Sequence, residues 1–160
     1  MLYRQLLKDD FEKLPAALRR FHSAPGGGRA VGRVAVRHAS GLLARLLGLP
    51  RAGDDVPMRL DVVANETQEI WIRRFGDVVR KSTQRLERGL LLETFGPVRL
   101  LFRVLADDRG VRFESLRASL WALPLPLQVS ATERGNDSSW EFQVTIARVG
   151  SYSGAMAPLP

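Results

Sequence analysis

Trp71, Arg73 and Phe75 stand at alternate positions, so an extended chain puts them on one face with a guanidinium between two aromatic rings. Such a group is suited to holding an anion. If this face is the concave side of a sheet, Arg73 is a cation among apolar side chains, and burying it alone costs several kcal/mol. It then needs a carboxylate such as Glu93 or Glu114, or the acidic head group of a ligand. If the opposite face is inside, Ile70 and Ile72 enter the core and Arg73 stacks across two surface aromatics. Strand spacing alone leaves both arrangements open. On the first, the ligand-binding residues are Trp71, Arg73, Phe75 and Glu93.

The other chemical signal is charge. No acidic residue occurs between Glu12 and Asp54, a stretch that carries eight cations and leaves the rest of the chain nearly neutral. Within it, Arg29, Arg33 and Arg37 fall at strand spacing and share one face, the expected basic contact face. Nucleic acid is a poor partner for it. Phe21 is the only aromatic in the stretch, so bases would find little to stack on.

Several chemistries lack their residues. The chain has no cysteine, which removes thiol nucleophiles, disulfides and thiolate metal sites. His22 and His38 have no acidic neighbour in sequence, and no paired-histidine or Gly-x-Ser-x-Gly pattern occurs. Gly26–Gly28 and Gly32 tempt a phosphate-loop reading, but Arg33-Val34 stands where Lys-Ser or Lys-Thr is required, and the glycines precede a strand. They read as a connector. No catalytic residue, metal site or cofactor is expected.

These residues must be positioned by an α+β arrangement. Leu2, Leu6 and Leu7, then Leu14, Leu18 and Phe21, predict N-terminal helices within 1–23, with Asp9 or Asp10 as a cap and Pro15 in the first turn of the second. A strand over 29–38 follows, and leucines predict a helix over 40–49, broken only by Arg45 and ended by Pro50. From 57 to 150 strand follows strand with short turns, which predicts an antiparallel meander. The expected fold is a half-barrel or barrel of about eight strands wrapped around a helix, in a single domain over 1–160. No apolar run is long enough to span a membrane and the N-terminus has no secretory pattern, so a cytoplasmic protein is expected.

Several segments together resemble an uncharacterised bacterial domain family, the domain of unknown function 4166. They are Leu14-Pro15 with Leu18-Arg19-Arg20 and His22, Gly41–Pro50 with Val56-Pro57, Trp71-x-Arg73-x-Phe75, Phe95-Gly96-Pro97 and Leu123–Pro126. The chain departs after Tyr152-Ser153-Gly154, where an alanine-rich tail continues to Pro160 and leaves the last strand undefined. The resemblance implies no catalytic residue. It implies an association with saccharopine-dehydrogenase-like NAD(P)-binding oxidoreductases, since such domains occur alone or fused at the C-terminal end of those proteins.

Three functional expectations result. The first is a non-catalytic domain holding a hydrophobic or lipid-like acidic ligand in an apolar pocket, with Arg73 on the acid. The alternative is an accessory module that docks on an oxidoreductase or other acidic partner through its basic face. A weaker third is an enzyme using Glu93, His38 or Arg73.

Overall fold

The computed structural model describes residues 1–38, 44 and 49–160. The predicted 40–49 helix therefore lies outside the described residues, except for Ala44 and Leu49.

Helix α1 (Leu2–Leu7) runs into a 3-10 turn (Lys8–Lys13), and helix α2 (Ala16–Ser23) follows. Asp9 and Asp10 cap nothing with their side chains. They lie inside the 3-10 turn, and Pro15 is the residue that flanks α2. Both helices are short, so their stability comes from the faces they bury rather than from propensity. Leu2, Tyr3, Leu7, Phe11, Leu14, Ala17, Leu18 and Phe21 all enter the core.

Eleven strands follow: β1 (Arg29–His38), β2 (Gly53–Ala64), β3 (Gln68–Phe75), β4 (Val78–Glu87), β5 (Leu90–Phe95), β6 (Val98–Asp107), β7 (Gly110–Leu120), the two-residue β8 (Leu123–Pro124), β9 (Val129–Gly135), β10 (Trp140–Ile146) and β11 (Gly150–Pro158). All neighbours pair antiparallel. β7 pairs with β6 and β9, and β1 pairs with β2 and β11, so ten strands form a closed ring with β8 as a short flap on β7.

This corrects the expectation of about eight strands and an optional half-barrel. Beyond the eight strands of the meander the ring takes in β1 and β11, the latter being the alanine-rich tail that sequence patterning left undefined. It closes the ring because its small residues let two backbones approach. A Cβ on Gly154 would lie 2.1 Å from the Arg33 carbonyl oxygen, and one on Gly32 1.9 Å from that of Ala155. The Gly26–Gly28 stretch extends the β1–β2 ladder, with Val62 N–H donating to Gly28 and Ala64 N–H to Gly26. It is a structural connector.

The apolar face of the ring points inward, and arginines, lysines and carboxylates stud the outside. That polarity is the reverse of a membrane-spanning barrel. The helices fill the interior toward the end that carries the β2–β3, β4–β5, β6–β7 and β9–β10 turns. Ala17 N–H donates to Asn136 in the β9–β10 turn, while the Phe21 ring lies 5.0 Å from Trp140 and 5.8 Å from Trp71.

Candidate functional site

The β2–β3–β4 register decides the orientation that strand spacing left open. Trp71 faces Val62 and Ser82, and Phe75 faces Met58 and Val78. Trp71 and Phe75 are both 4% exposed, whereas Ile70 and Ile72 are half-buried on the outer side. The concave arrangement is the one adopted, and Glu69, Trp71, Arg73 and Phe75 all point into the barrel.

Arg73 finds its counter-ion inside the protein. Its Nη2 donates to Glu93 Oε1 at 3.0 Å and its Nη1 to Ser82 Oγ at 2.8 Å, while Ser82 Oγ donates to the same Glu93 oxygen at 2.6 Å. Glu93 is one of the two carboxylates anticipated. Glu114, the other, points outward and pairs with Arg112 at 3.3 Å. Burial pulls the Arg73 pKa down, but the charge of Glu93, helped by Tyr152, more than offsets this and holds it above its ordinary value. The aromatic sandwich differs from expectation. The guanidinium lies 5.0 Å from the Trp71 ring and 5.8 Å from Phe95, because it leans across β4 toward β5. Phe75 instead meets Tyr152 edge-on at 5.6 Å.

A second polar cluster joins the helices to the wall. The Tyr3 hydroxyl donates to Gln84 Oε1 at 3.0 Å, and its ring stacks on His22 with centroids 3.9 Å apart. His22 Nε2 lies 3.4 Å from Glu133 Oε2, and Trp71 Nε1–H donates to Glu69 Oε2 at 3.1 Å. Burial pushes the Tyr3 hydroxyl well above its ordinary pKa, assisted by the negative charges of Glu133, Glu69 and Glu93. Burial likewise raises Tyr152, and it raises Glu69 against the opposing influence of His22 and the Trp71 N–H. Buried polar groups that are all paired specify one arrangement of helices in the barrel.

Sequence reading did not find Tyr3, Glu69, Ser82, Gln84, Glu133 or Tyr152. Glu69 was within reach, since it continues the Trp71-Arg73-Phe75 alternation by one step. Glu133 was not, because its contact with His22 spans most of the chain.

The basic face is exposed but largely compensated. Arg33 chelates Asp55 through both Nε and Nη2, and Arg37 pairs with Asp54. Arg29 Nη2 donates to the Pro160 carbonyl at 3.0 Å. The stretch is acid-free in sequence, but β2 returns alongside β1 and brings Asp54 and Asp55 to it.

Two spaces adjoin the described residues. Behind His22 and Glu69 lies a space of about 10 Å³, bordered by Phe21, Gly27 and Val62, room for about one water molecule. At the opposite end an open hollow of about 480 Å³ is lined by Leu49, Arg51, Val78 and Arg80. Among the described residues no three His, Asp or Glu side chains converge to hold a metal ion. His38, one candidate of the enzyme reading, ends β1, two places round the ring from β3, which carries Arg73, and four from β5, which carries Glu93.

Residues 14–152 match the family model described as a domain of unknown function, DUF4166. The chain belongs to this family. The match runs from the end of the 3-10 turn to Tyr152 on β11, so it takes in α2 and, apart from β11 beyond Tyr152, the barrel wall. No curated protein and no solved structure matches the chain.

Proposed function

We propose that this domain is a non-catalytic interaction module that docks on an acidic partner, an oxidoreductase of the saccharopine-dehydrogenase-like class being the candidate by family analogy. The observation that carries this reading is the Arg73–Glu93–Ser82 cluster. The inward arginine that would have received a ligand's acid group already holds a carboxylate, and aromatic rings pack around it. The interior serves the fold, which leaves the outer wall for recognition. The surface itself supports the reading, with a net charge of +7 and Arg29, Arg33 and Arg37 aligned on β1. Asp55 and Asp54 hold Arg33 and Arg37 in exposed pairs, and a stronger acidic surface can exchange with them.

The test is calorimetry with a purified NAD(P)-binding protein of that class at low and high salt. Binding is expected to weaken as salt rises, because exposed charges are screened within about 8 Å at physiological ionic strength. Arg29→Glu combined with Arg37→Glu is expected to abolish it. Salt-insensitive binding, or binding that survives both reversals, refutes the docking face. A second reading keeps a ligand but moves it. The hollow at Leu49, Arg51, Val78 and Arg80 has the volume of a small-molecule site, and native mass spectrometry showing a stoichiometric apolar acid would favour it.

A further inference from the structure

On the far side of the ring from β1, the β7–β8 hairpin carries a different surface. Its two-residue turn is Trp121-Ala122, and both residues have positive φ, 46° and 71°. Such turns ordinarily take glycine or asparagine, so this sequence keeps an aromatic residue at a strained tip. Trp121 is 76% exposed and Leu123 70%, the two most exposed large apolar side chains among the described residues. Ala122, Pro124 and Pro126 are exposed beside them. No charged residue occurs from Ala118 to Thr132.

The tip is also provided with its own backbone bonds. Trp121 N–H donates to Pro97 at 3.1 Å, Leu125 N–H to Ala118 at 2.9 Å and Leu127 N–H to Leu125 at 2.8 Å. Pro124 and Pro126 have no N–H to satisfy. Most backbone donors of this segment are therefore paired or missing, which lowers the cost of taking it out of water. The bond to Pro97 ties the tip to the β5–β6 turn and holds it in place.

Three arginines lie on the strands and turns bonded to this hairpin. Arg117 and Arg99 lie on the outer wall within a few residues of the tip, Arg99 opposite Ser119 in the β6–β7 ladder. Arg148 occupies the β10–β11 turn, which is bonded to the hairpin's return through Ala147 N–H and the Gln128 carbonyl. All three are exposed. Arg99 approaches Glu87 at 3.7 Å, and neither Arg117 nor Arg148 has an ion pair among the described residues.

We infer that this hairpin is a membrane-surface anchor: Trp121 and Leu123 enter the interfacial layer of an anionic bilayer while Arg99, Arg117 and Arg148 meet lipid phosphates. Tryptophan suits that layer, having an apolar body and one polar N–H. Juxtaposed arginines supply the attraction to negative lipid head groups. The inference is independent of the docking face on β1. Together the two surfaces would let the domain hold an acidic protein against a membrane.

The experiment is flotation of the full chain with vesicles of phosphatidylcholine alone and with added phosphatidylglycerol, read alongside tryptophan fluorescence. Trp71 and Trp140 are 4% and 3% exposed, so a blue shift on vesicle addition would report Trp121. Binding is expected on the anionic vesicles only. Trp121→Ala with Leu123→Ala should weaken it roughly tenfold or more, and Arg117→Glu with Arg148→Glu should do the same while leaving the thermal midpoint unchanged. No binding to anionic vesicles overturns the proposal, as does undiminished binding by the Trp121/Leu123 variant. Capture of a protein partner that depends on Trp121, without vesicle binding, likewise overturns it in favour of a protein-docking knob.

Discussion

Arg73 inside the barrel and Arg33 on its outer wall make the same kind of bond, guanidinium to carboxylate, under opposite solvent conditions. The inner side chains, Arg73 and Glu93, are 12% and 8% exposed; the outer ones, Arg33 and Asp55, are 59% and 70% exposed. Inside, both ions have given up most of their hydration, and among the described residues their mutual bond, Ser82 and the Trp71 and Phe95 rings replace it. Outside, water competes at every moment, and the pair can open without penalty to the fold. The inner pair is therefore committed to the structure, and the outer pair is free to change partners. On the proposed docking reading, recognition belongs on the wall for this reason, although the inner cluster has the more distinctive chemistry.

The largest expected effect breaks the inner side of this contrast. Arg73→Met leaves the Glu93 charge buried without a counter-ion, with only the Ser82 hydroxyl bonded to it, which should lower unfolding stability by about 3–5 kcal/mol, measured by urea denaturation. Removing both charges with Arg73→Met and Glu93→Leu should recover most of that loss. A double variant as unstable as the single one would mean the two residues act separately. Next comes Tyr3→Phe, which takes the hydroxyl from buried Gln84 and should cost about 1–3 kcal/mol.

The same tyrosine sets an alkaline limit. The Tyr3 and Tyr152 hydroxyls titrate higher in the folded protein than the ordinary value of 10.0, so above that pH the unfolded chain releases protons first. The folded state then holds more protons, and stability falls as pH rises further. Denaturation midpoints across that range should fall less steeply in Tyr3→Phe. A parallel, smaller effect belongs to Glu69, whose raised pKa makes stability decline as pH climbs from 4.5 toward the folded-state value. Glu69→Gln should flatten that part of the profile. The smallest effect sharpens the outer side: Arg33→Ala should leave the unfolding midpoint unchanged within error while weakening salt-dependent docking.

Much of the wall was legible because a strand with one wet face alternates. The strand expected over 29–38 is β1, and the meander expected from 57 to 150 holds β2 to β10, beginning four residues earlier at Gly53. The inward set of Trp71, Arg73 and Phe75 was legible as a set, but which way it faced was not, since alternation is symmetric until a partner strand fixes the register. The Arg73–Glu93 pair could be anticipated because a buried cation demands a carboxylate. The His22–Glu133 contact could not, because it depends on the helices entering the barrel beside β9. Arg33 and Arg37 show the converse error, for absence of acid along the chain says nothing about acid across a hairpin. The Trp121 tip was hidden by its composition: Leu120–Leu123 looks like core until the turn is seen to project.

The seam between β1 and β11 joins residue 30 to residue 158, and it has a consequence for how the protein is made. While the chain emerges from the ribosome, β1 can pair with β2 but its other edge stays unpaired until β11 has been made. A pairing so distant in sequence forms late and slowly. Throughout the interval the open edges of β1 and β10 are templates for self-association. A chain stopped before Gly150 would keep both of them, so truncation at that point should yield inclusion bodies rather than a smaller soluble barrel.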